Sequence, residues 1–495
     1  MSFNSINFLI FFPIVALIYY SIPHRVRWVW LLMASYYFYA SWNPRLLIFM
    51  VTATIITYSS GILLEKVDEI SDPKKSILLK KFIVFVSLAA CLGILFVFKY
   101  LNFFSMNLLR LFSWLNITMN IPHYDLLLPI GISFYTFKAL SYTIDIYRKD
   151  IKAERNMGKY ALFVSFFPQL LAGPIEKSKD FLKQFSEKHI FDYDTVKNGL
   201  LLMLWGFVQK LIIADRLAIL VNTVYDNPSA YRGFEIITAN IFFAFQIYCD
   251  FSSYSDIAIG AAQVMGFRST KNFEQPYFSK SIQEFWRRWH ITLSSWFKDY
   301  LYFPLGGNRC SKLRNYSNIM VVFLASGLWH GAALHYVIWG VLHGIFQVTG
   351  SILKPLKHRI IKILGIRTEV FSYKLIQVLF TFILVDFAWI FFRAGSFADA
   401  EILISNMYYF NPEIFTEGTI YNLGLDFKDF MVALFGIGAI LVINIWQRNK
   451  DLRVQLAKQN TVFRWAVYVI AVITVLIFGI YGSGFDAQEF IYMQF

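Results

Sequence analysis

The sequence predicts an all-α fold, a polytopic membrane bundle of about 11–12 helical spans with re-entrant segments. Composition is the first observation behind this. Of 495 residues, 57% are hydrophobic, 19% aromatic and only 16% charged, whereas soluble domains carry roughly 45–50% apolar and about 25% charged residues. That leaves too little polar surface to coat a globule in water. The second observation is that apolar runs long enough to cross a ~30 Å hydrocarbon layer recur along the chain. The third is that no ten-residue alternating pattern of the barrel type accompanies them. The apolar content excludes disorder, three cysteines exclude a disulfide-built scaffold, and 26 glycines with 13 prolines exclude a collagen-like chain.

In chain order the runs are 6–22, 28–42, 46–64, 82–101, 126–147, 196–214, 236–265, 316–350, 373–392, 430–446 and 463–481, the eighth long enough for two short spans. The first has no basic residue before Ile6, and Tyr19 and Tyr20 near its end suit an interfacial anchor. It therefore reads as a retained span and not a cleaved signal peptide. A shorter run, 160–172, ends in Gly173-Pro174 and has basic loops on both sides. A segment that leaves and returns on one face is read as re-entrant, and irregular backbone at membrane depth needs surrounding protein or a water-filled cavity. With no repeat or low-complexity linker, residues 1–495 read as one membrane domain, with a motif-rich region at about 245–350 and an outward-facing tail at 482–495.

Forty-six Lys and Arg against 32 Asp and Glu make a net charge of +14. The cations concentrate in some connections, among them Lys66 to Lys81, Arg148 to Lys159, Lys177 to Lys188, Lys354 to Arg367 and Arg448 to Arg464, while 116–125 and 482–495 have none. By the positive-inside rule the basic connections are cytoplasmic and the chain ends outside. Charge thus reports topology, with the lipid bilayer as its partner, and nucleic acid is not implied.

Two segments place polar groups among apolar ones. Tyr248-Cys249-Asp250-Phe251-Ser252-Ser253-Tyr254-Ser255-Asp256 holds two carboxylates and three serines within one span. A charge at the bilayer centre costs at least ~2.5–3.5 kcal/mol, so such groups face a bundle interior. There Asp250, Ser253 and Asp256 either clamp neighbouring helices or line a path for a polar acceptor. The second segment, from Glu284 to Tyr300 and on through Pro304-Leu305-Gly306-Gly307-Asn308-Arg309, is too charged to span and too aromatic for an ordinary loop. Its cations Arg287, Arg288, Lys298 and Arg309 suit either anionic lipid headgroups or a phosphate-bearing soluble donor.

Of eight histidines, His24, His123, His189 and His358 fall in loops or at span ends, while His330, His335 and His343 lie in the apolar run 324–350. On one straight helix the last three would not share a face, which argues against a metal site. A buried histidine is more often structural than catalytic, so neither role is assigned from composition. No P-loop, GxSxG elbow, HExxH or dinucleotide fingerprint competes.

Taken together, Phe285-Trp286-Arg287-Arg288-Trp289-His290, Asp299 to Arg309, Gly327-Leu328-Trp329-His330-Gly331-Ala332, Trp339-Gly340 and His343-Gly344 resemble the membrane-bound O-acyltransferase (MBOAT) family, in its AlgI-type alginate and PatA-type peptidoglycan O-acetyltransferase branch. The resemblance extends to Ile132 to Phe137, Leu171 to Glu176 and the Tyr248 to Asp256 stretch. It implies a central membrane-embedded tunnel that carries an acetyl group from cytoplasmic acetyl-CoA to an extracytoplasmic polysaccharide in the bacterial inner membrane. Acetyl-CoA is then a substrate, with no permanently bound cofactor and no metal. An extracytoplasmic acetyltransferase partner of the AlgJ/AlgX or PatB kind is implied as well. The family's invariant histidine falls on His330, as general base, and its variable second position on His290, which orients His330 or polarises the thioester carbonyl. Trp329 is placed with Asp250, Ser253 and Asp256 on the tunnel or acceptor side, and Arg287, Arg288, Lys298 and Arg309 become contacts for the CoA phosphates.

The tail, Phe485 to Phe495, is strongly aromatic. An interfacial anchor is the favoured reading, with Tyr492 as an acetyl-accepting phenol the other. Two further functional classes stay open: D-alanyl transfer of the DltB kind, and a proton-coupled transporter built on Asp250 and Asp256.

Overall fold

The computed structural model describes residues 1–119, 122, 124, 126–448, 451–481 and 490–491. His123, Tyr492 and most of the 482–495 tail lie outside them. Every regular element among the described residues is helical, and the chain divides into two compact units.

The first unit comprises Met1–Met203 and Ile257–Thr270. It contains α1 (Ile6–Ser21), α2 (His24–Ala40), α3 (Leu47–Asp68), α4 (Pro73–Leu95), α5 (Leu101–Trp114), α6 (Ile132–Tyr147), α7 (Met157–Ser165), the single turn α8 (Ser178–Phe181) and most of α9 (Tyr193–Phe207). Local chemistry sets several starts: Ser5 accepts from the Phe8 amide, and Asp72, followed by Pro73, accepts from those of Lys74 and Lys75, satisfying donors that a first turn leaves orphaned. The run 126–147 becomes helical only at Ile132. Pro129 precedes the start, and Gly131 takes φ 72°, where an added Cβ would lie 2.7 Å from the Leu170 carbonyl oxygen. That carbonyl belongs to the segment read as re-entrant. α7 has nine residues, about half of a membrane crossing, and buried irregular backbone follows it, with the Phe167 amide donating to Ser35 Oγ and Lys138 Nζ to Gln169 Oε1.

The second unit comprises Leu204–Asp256 and Lys271–Phe495. Its helices are α10 (Asp215–Tyr225), most of α11 (Phe234–Val264), α12 (Ile282–Arg288), α13 (Ile291–Phe297), α14 (Lys312–His330), α15 (Leu334–Ile363), α16 (Phe371–Arg393), α17 (Phe397–Asn406), α18 (Glu413–Thr416), α19 (Phe427–Gln447), α20 (Leu452–Ala457) and α21 (Thr461–Phe478). The run 196–214 is not one straight span: after Phe207 the backbone widens into a π-helix, Val208–Ala214, that carries the buried polar residues Gln209 and Lys210. The run 316–350 does split in two. α14 and α15 meet through glycines, since a Cβ on Gly327 would stand 2.4 Å from the Tyr336 carbonyl oxygen and one on Gly340 2.3 Å from that of Phe323. α15 then continues beyond Gly350, through Lys354 and Arg359 to Ile363.

Among the described residues, seven helical stretches are long and apolar enough to cross a membrane, with α1 a shorter apolar helix. The other runs counted toward eleven or twelve spans form helices that are shorter, interrupted or more polar. α21 is wholly unburied over its apolar window, as expected of a lipid-facing span, whereas α11 is 72% buried over its own. α11 is therefore a largely buried helix.

Candidate active site

Trp289 closes α12, and His290 then turns the chain into α13 with φ 42° and ψ 56°. Non-glycine residues seldom occupy this left-handed region, so neighbouring contacts must hold the turn there. Asn272 does so twice. Its backbone carbonyl accepts from the Ile291 amide at 2.9 Å. Its side-chain Oδ1 accepts from the Thr292 amide at 3.3 Å and the Thr292 hydroxyl at 2.9 Å, and lies 3.1 Å from His290 Nδ1. Since a backbone amide only donates, the shared atom is oxygen, and the proton of the imidazole sits on Nδ1. Nε2 then carries the lone pair. Burial pushes the pKa of His290 down to about 3, which keeps the ring neutral. Asn272 is fixed in turn by donating to Ser255 Oγ on α11 at 3.2 Å.

His330 is the last residue of α14 and is buried. Its ring stands edge-on to Trp339 and Trp329, each 5.0 Å away between centroids, and 5.3 Å from Phe392. The Trp329 ring is also 6.0 Å from that of His290. The two imidazoles, forty positions apart, thus touch one indole. His343 differs, because its Nδ1 accepts from Trp286 Nε1 at 3.3 Å and its ring is packed by Trp339 at 5.0 Å, the arrangement of a core histidine. The described residues hold no cluster of three His, Cys, Asp or Glu arranged for a metal ion.

A cavity of about 930 Å³ opens in the same unit, within the size range of small-molecule sites. Arg287, Lys298 and Arg309, all exposed, line it. Arg288 does not: it pairs with Glu284 at 2.8 Å, four residues back on α12. The turn at Gly306 and Gly307 is held by Asn318, which donates to the Gly307 carbonyl at 3.2 Å. Neither His290 nor His330 lines the cavity, yet Leu293 and Ser326, one turn from each, do.

On α11 the structure separates the acidic pair. Asp256 accepts from Gln209 Nε2 at 2.8 Å, and Gln209 Oε1 accepts from the Ser252 hydroxyl. Asp250 pairs with Lys210 at 2.6 Å, and Lys210 with Asp215 at 2.9 Å. Ser253 turns back to the Asp250 carbonyl. These are the interhelical clamps that the sequence left as one of two readings. Sequence reasoning missed Asn272, Gln209 and Lys210. A lysine in the middle of the apolar run 196–214 was the signal for the last.

A buried imidazole between two short helices, another at the end of α14, a cation-rimmed cavity and long apolar spans define a class, the multi-pass membrane enzymes with a histidine site enclosed by helices. The family model described as MBOAT, membrane-bound O-acyltransferase family, matches residues 31–392. The chain belongs to this family and is an acyltransferase. It is 39% identical over 459 residues to a probable alginate O-acetylase AlgI of Pseudomonas syringae pv. tomato, covering 91% of this chain and 84% of the relative. It is 33% identical to a peptidoglycan O-acetyltransferase of Helicobacter pylori, covering 77% and 73%. Similarity to a teichoic acid D-alanyltransferase of Bacillus subtilis is 29% over 46% of this chain and 60% of that one.

Proposed function

We propose that this chain is an O-acetyltransferase of the bacterial inner membrane that takes acetyl from cytoplasmic acetyl-CoA and delivers it for O-acetylation of an extracytoplasmic polysaccharide such as alginate or peptidoglycan. The observation that carries the reading is the convergence of His290 and His330 on one tryptophan beside a cavity ringed by three exposed cations. Arg287 and Arg309 offer planar forks, and Lys298 a point charge, to the phosphates of CoA. His330 acts as general base on the attacking hydroxyl, a contribution typically worth about 10²–10⁴-fold. His290 has its proton on Nδ1, directed at Asn272, so it serves as an acceptor at Nε2; polarising a thioester carbonyl through that nitrogen would need a proton there. An extracytoplasmic acetyltransferase partner completes the transfer to the polymer.

The test is radiolabelled acetyl-CoA supplied to the purified protein in nanodiscs, with thioester consumption and acetyl transfer both measured. His330→Ala is expected to abolish transfer while the protein stays inserted and monodisperse. Transfer by a well-folded His330→Ala protein overturns the assignment, and turnover with a D-alanyl carrier in place of acetyl-CoA replaces the substrate class.

A further inference from the structure

The Lys210 cluster reaches a part of the chain far from it in sequence. Asp250 and Asp215 set two carboxylates against one ammonium, and all three side chains are at most 5% exposed. Such a cluster buries one more negative charge than positive, which is costly unless further donors reach it. One does. Asp250 Oδ2, the oxygen turned away from Lys210, accepts the backbone amide of Ile491 at 2.7 Å. Lys210 Nζ lies 4.3 Å from the centroid of the Phe490 ring, and that ring stands edge-on to Tyr254 at 4.9 Å. Phe490 is 1% exposed and Ile491 8%.

An interfacial aromatic anchor sits at headgroup level with its ring toward lipid. Phe490 instead stacks on a buried cation, held by residues of the π-helical segment and of α11. The same stretch of α11 also reaches the histidine site: Phe251, next to Asp250, packs edge-on to the His290 ring at 4.6 Å, and Ser255 accepts from Asn272. One stretch of α11 therefore presents an acceptor to the segment at Phe490–Ile491 and a wall to His290.

We infer that Asp250, with Lys210, is an internal receptor for the segment at Phe490–Ile491, and that docking of this segment positions it beside the histidine site for the step that passes the acyl group to its acceptor. Asp250 is thus a positioning residue. The kinetic half of this inference rests on the acetyltransferase reading; the docking half does not.

Deuterium exchange of the full-length protein in nanodiscs, followed on peptides that contain Phe490 and Ile491, tests the docking half. Slow exchange in the wild type is expected, faster by about tenfold to a hundredfold in Asp250→Ala, the range for losing a hydrogen bond to a charged group. Asp250→Asn, which keeps an acceptor oxygen, is expected to fall between. Ile491→Pro removes the donor from the other side while leaving all three charged side chains in place, so a folding defect in the Asp250 variants does not leave the question open. In steady-state assays Asp250→Ala and Ile491→Pro are expected to lower kcat for acetyl transfer while KM for acetyl-CoA stays unchanged. Fast exchange of this segment in the wild type overturns the inference, and so does full kcat in Ile491→Pro. Absence of transfer by the wild type itself would instead count against the acetyltransferase reading, with the exchange data still deciding the docking.

Discussion

Asn272 is the residue on which the His290 assignment turns, and replacing it by leucine is the sharpest perturbation the structure offers. Leucine fills a similar volume but offers no oxygen, so the Thr292 amide, the Thr292 hydroxyl and the Nδ1 proton of His290 all lose an acceptor at 2.9–3.3 Å. Each buried donor left without that partner costs about 1–3 kcal/mol. The left-handed turn at His290 also loses part of what holds it. The tautomer is no longer dictated, and the loss in transfer rate is expected to approach the ~10²–10⁴-fold typical of a lost acid–base group. Asn272→Asp keeps an acceptor at the same place and is expected to retain more transfer than Asn272→Leu. Size-exclusion profiles and thermal unfolding of both variants in detergent separate misfolding from mispositioning. Full transfer by folded Asn272→Leu would refute both the tautomer argument and the role given to His290.

The cavity makes a selective forecast about the donor. Arg287→Ala combined with Arg309→Ala is expected to raise the KM for acetyl-CoA about tenfold to a hundredfold, from the loss of charge-assisted hydrogen bonds, whereas Arg288→Ala, whose partner is Glu284, is expected to change it much less; equal effects would remove the cavity from the donor's path. Gly327→Ala or Gly340→Ala drives a methyl to within 2.4 Å or 2.3 Å of a backbone carbonyl oxygen. Neither oxygen can swing aside, so overpacking is expected to cost about 1–3 kcal/mol, seen as a lower unfolding temperature. An unchanged melting curve would show that α14 and α15 do not depend on that close approach.

Much of the fold was legible because membrane insertion is governed by local, additive properties. Twenty apolar residues cross the bilayer whatever lies elsewhere in the chain, and the helical class and most of the long spans followed from that rule alone. The misjudged segments have separate causes. At 126–131 a proline and a left-handed glycine prevent the helix from starting early, and at 208–214 buried polar side chains break an apolar run that hydropathy alone would score as continuous. The family resemblance pointed to His290 and His330, and residue chemistry to the cations from Arg287 to Arg309. It did not separate Arg287 from Arg288, neighbours of one type on one short helix, because only the fold turns one toward a cavity and the other toward Glu284.

By itself the sequence determined that this chain spans a membrane as helices and that its motifs are those of the acyltransferase family to which it belongs. The tertiary structure decided what each buried polar group is paired with: Asn272 with His290, Gln209 with Asp256, and Asp250 with both Lys210 and the amide of Ile491, 241 residues away. The reason is that burial makes an unpaired polar group costly wherever it lies, while the identity of its partner depends on which distant helices the packing brings within hydrogen-bond reach.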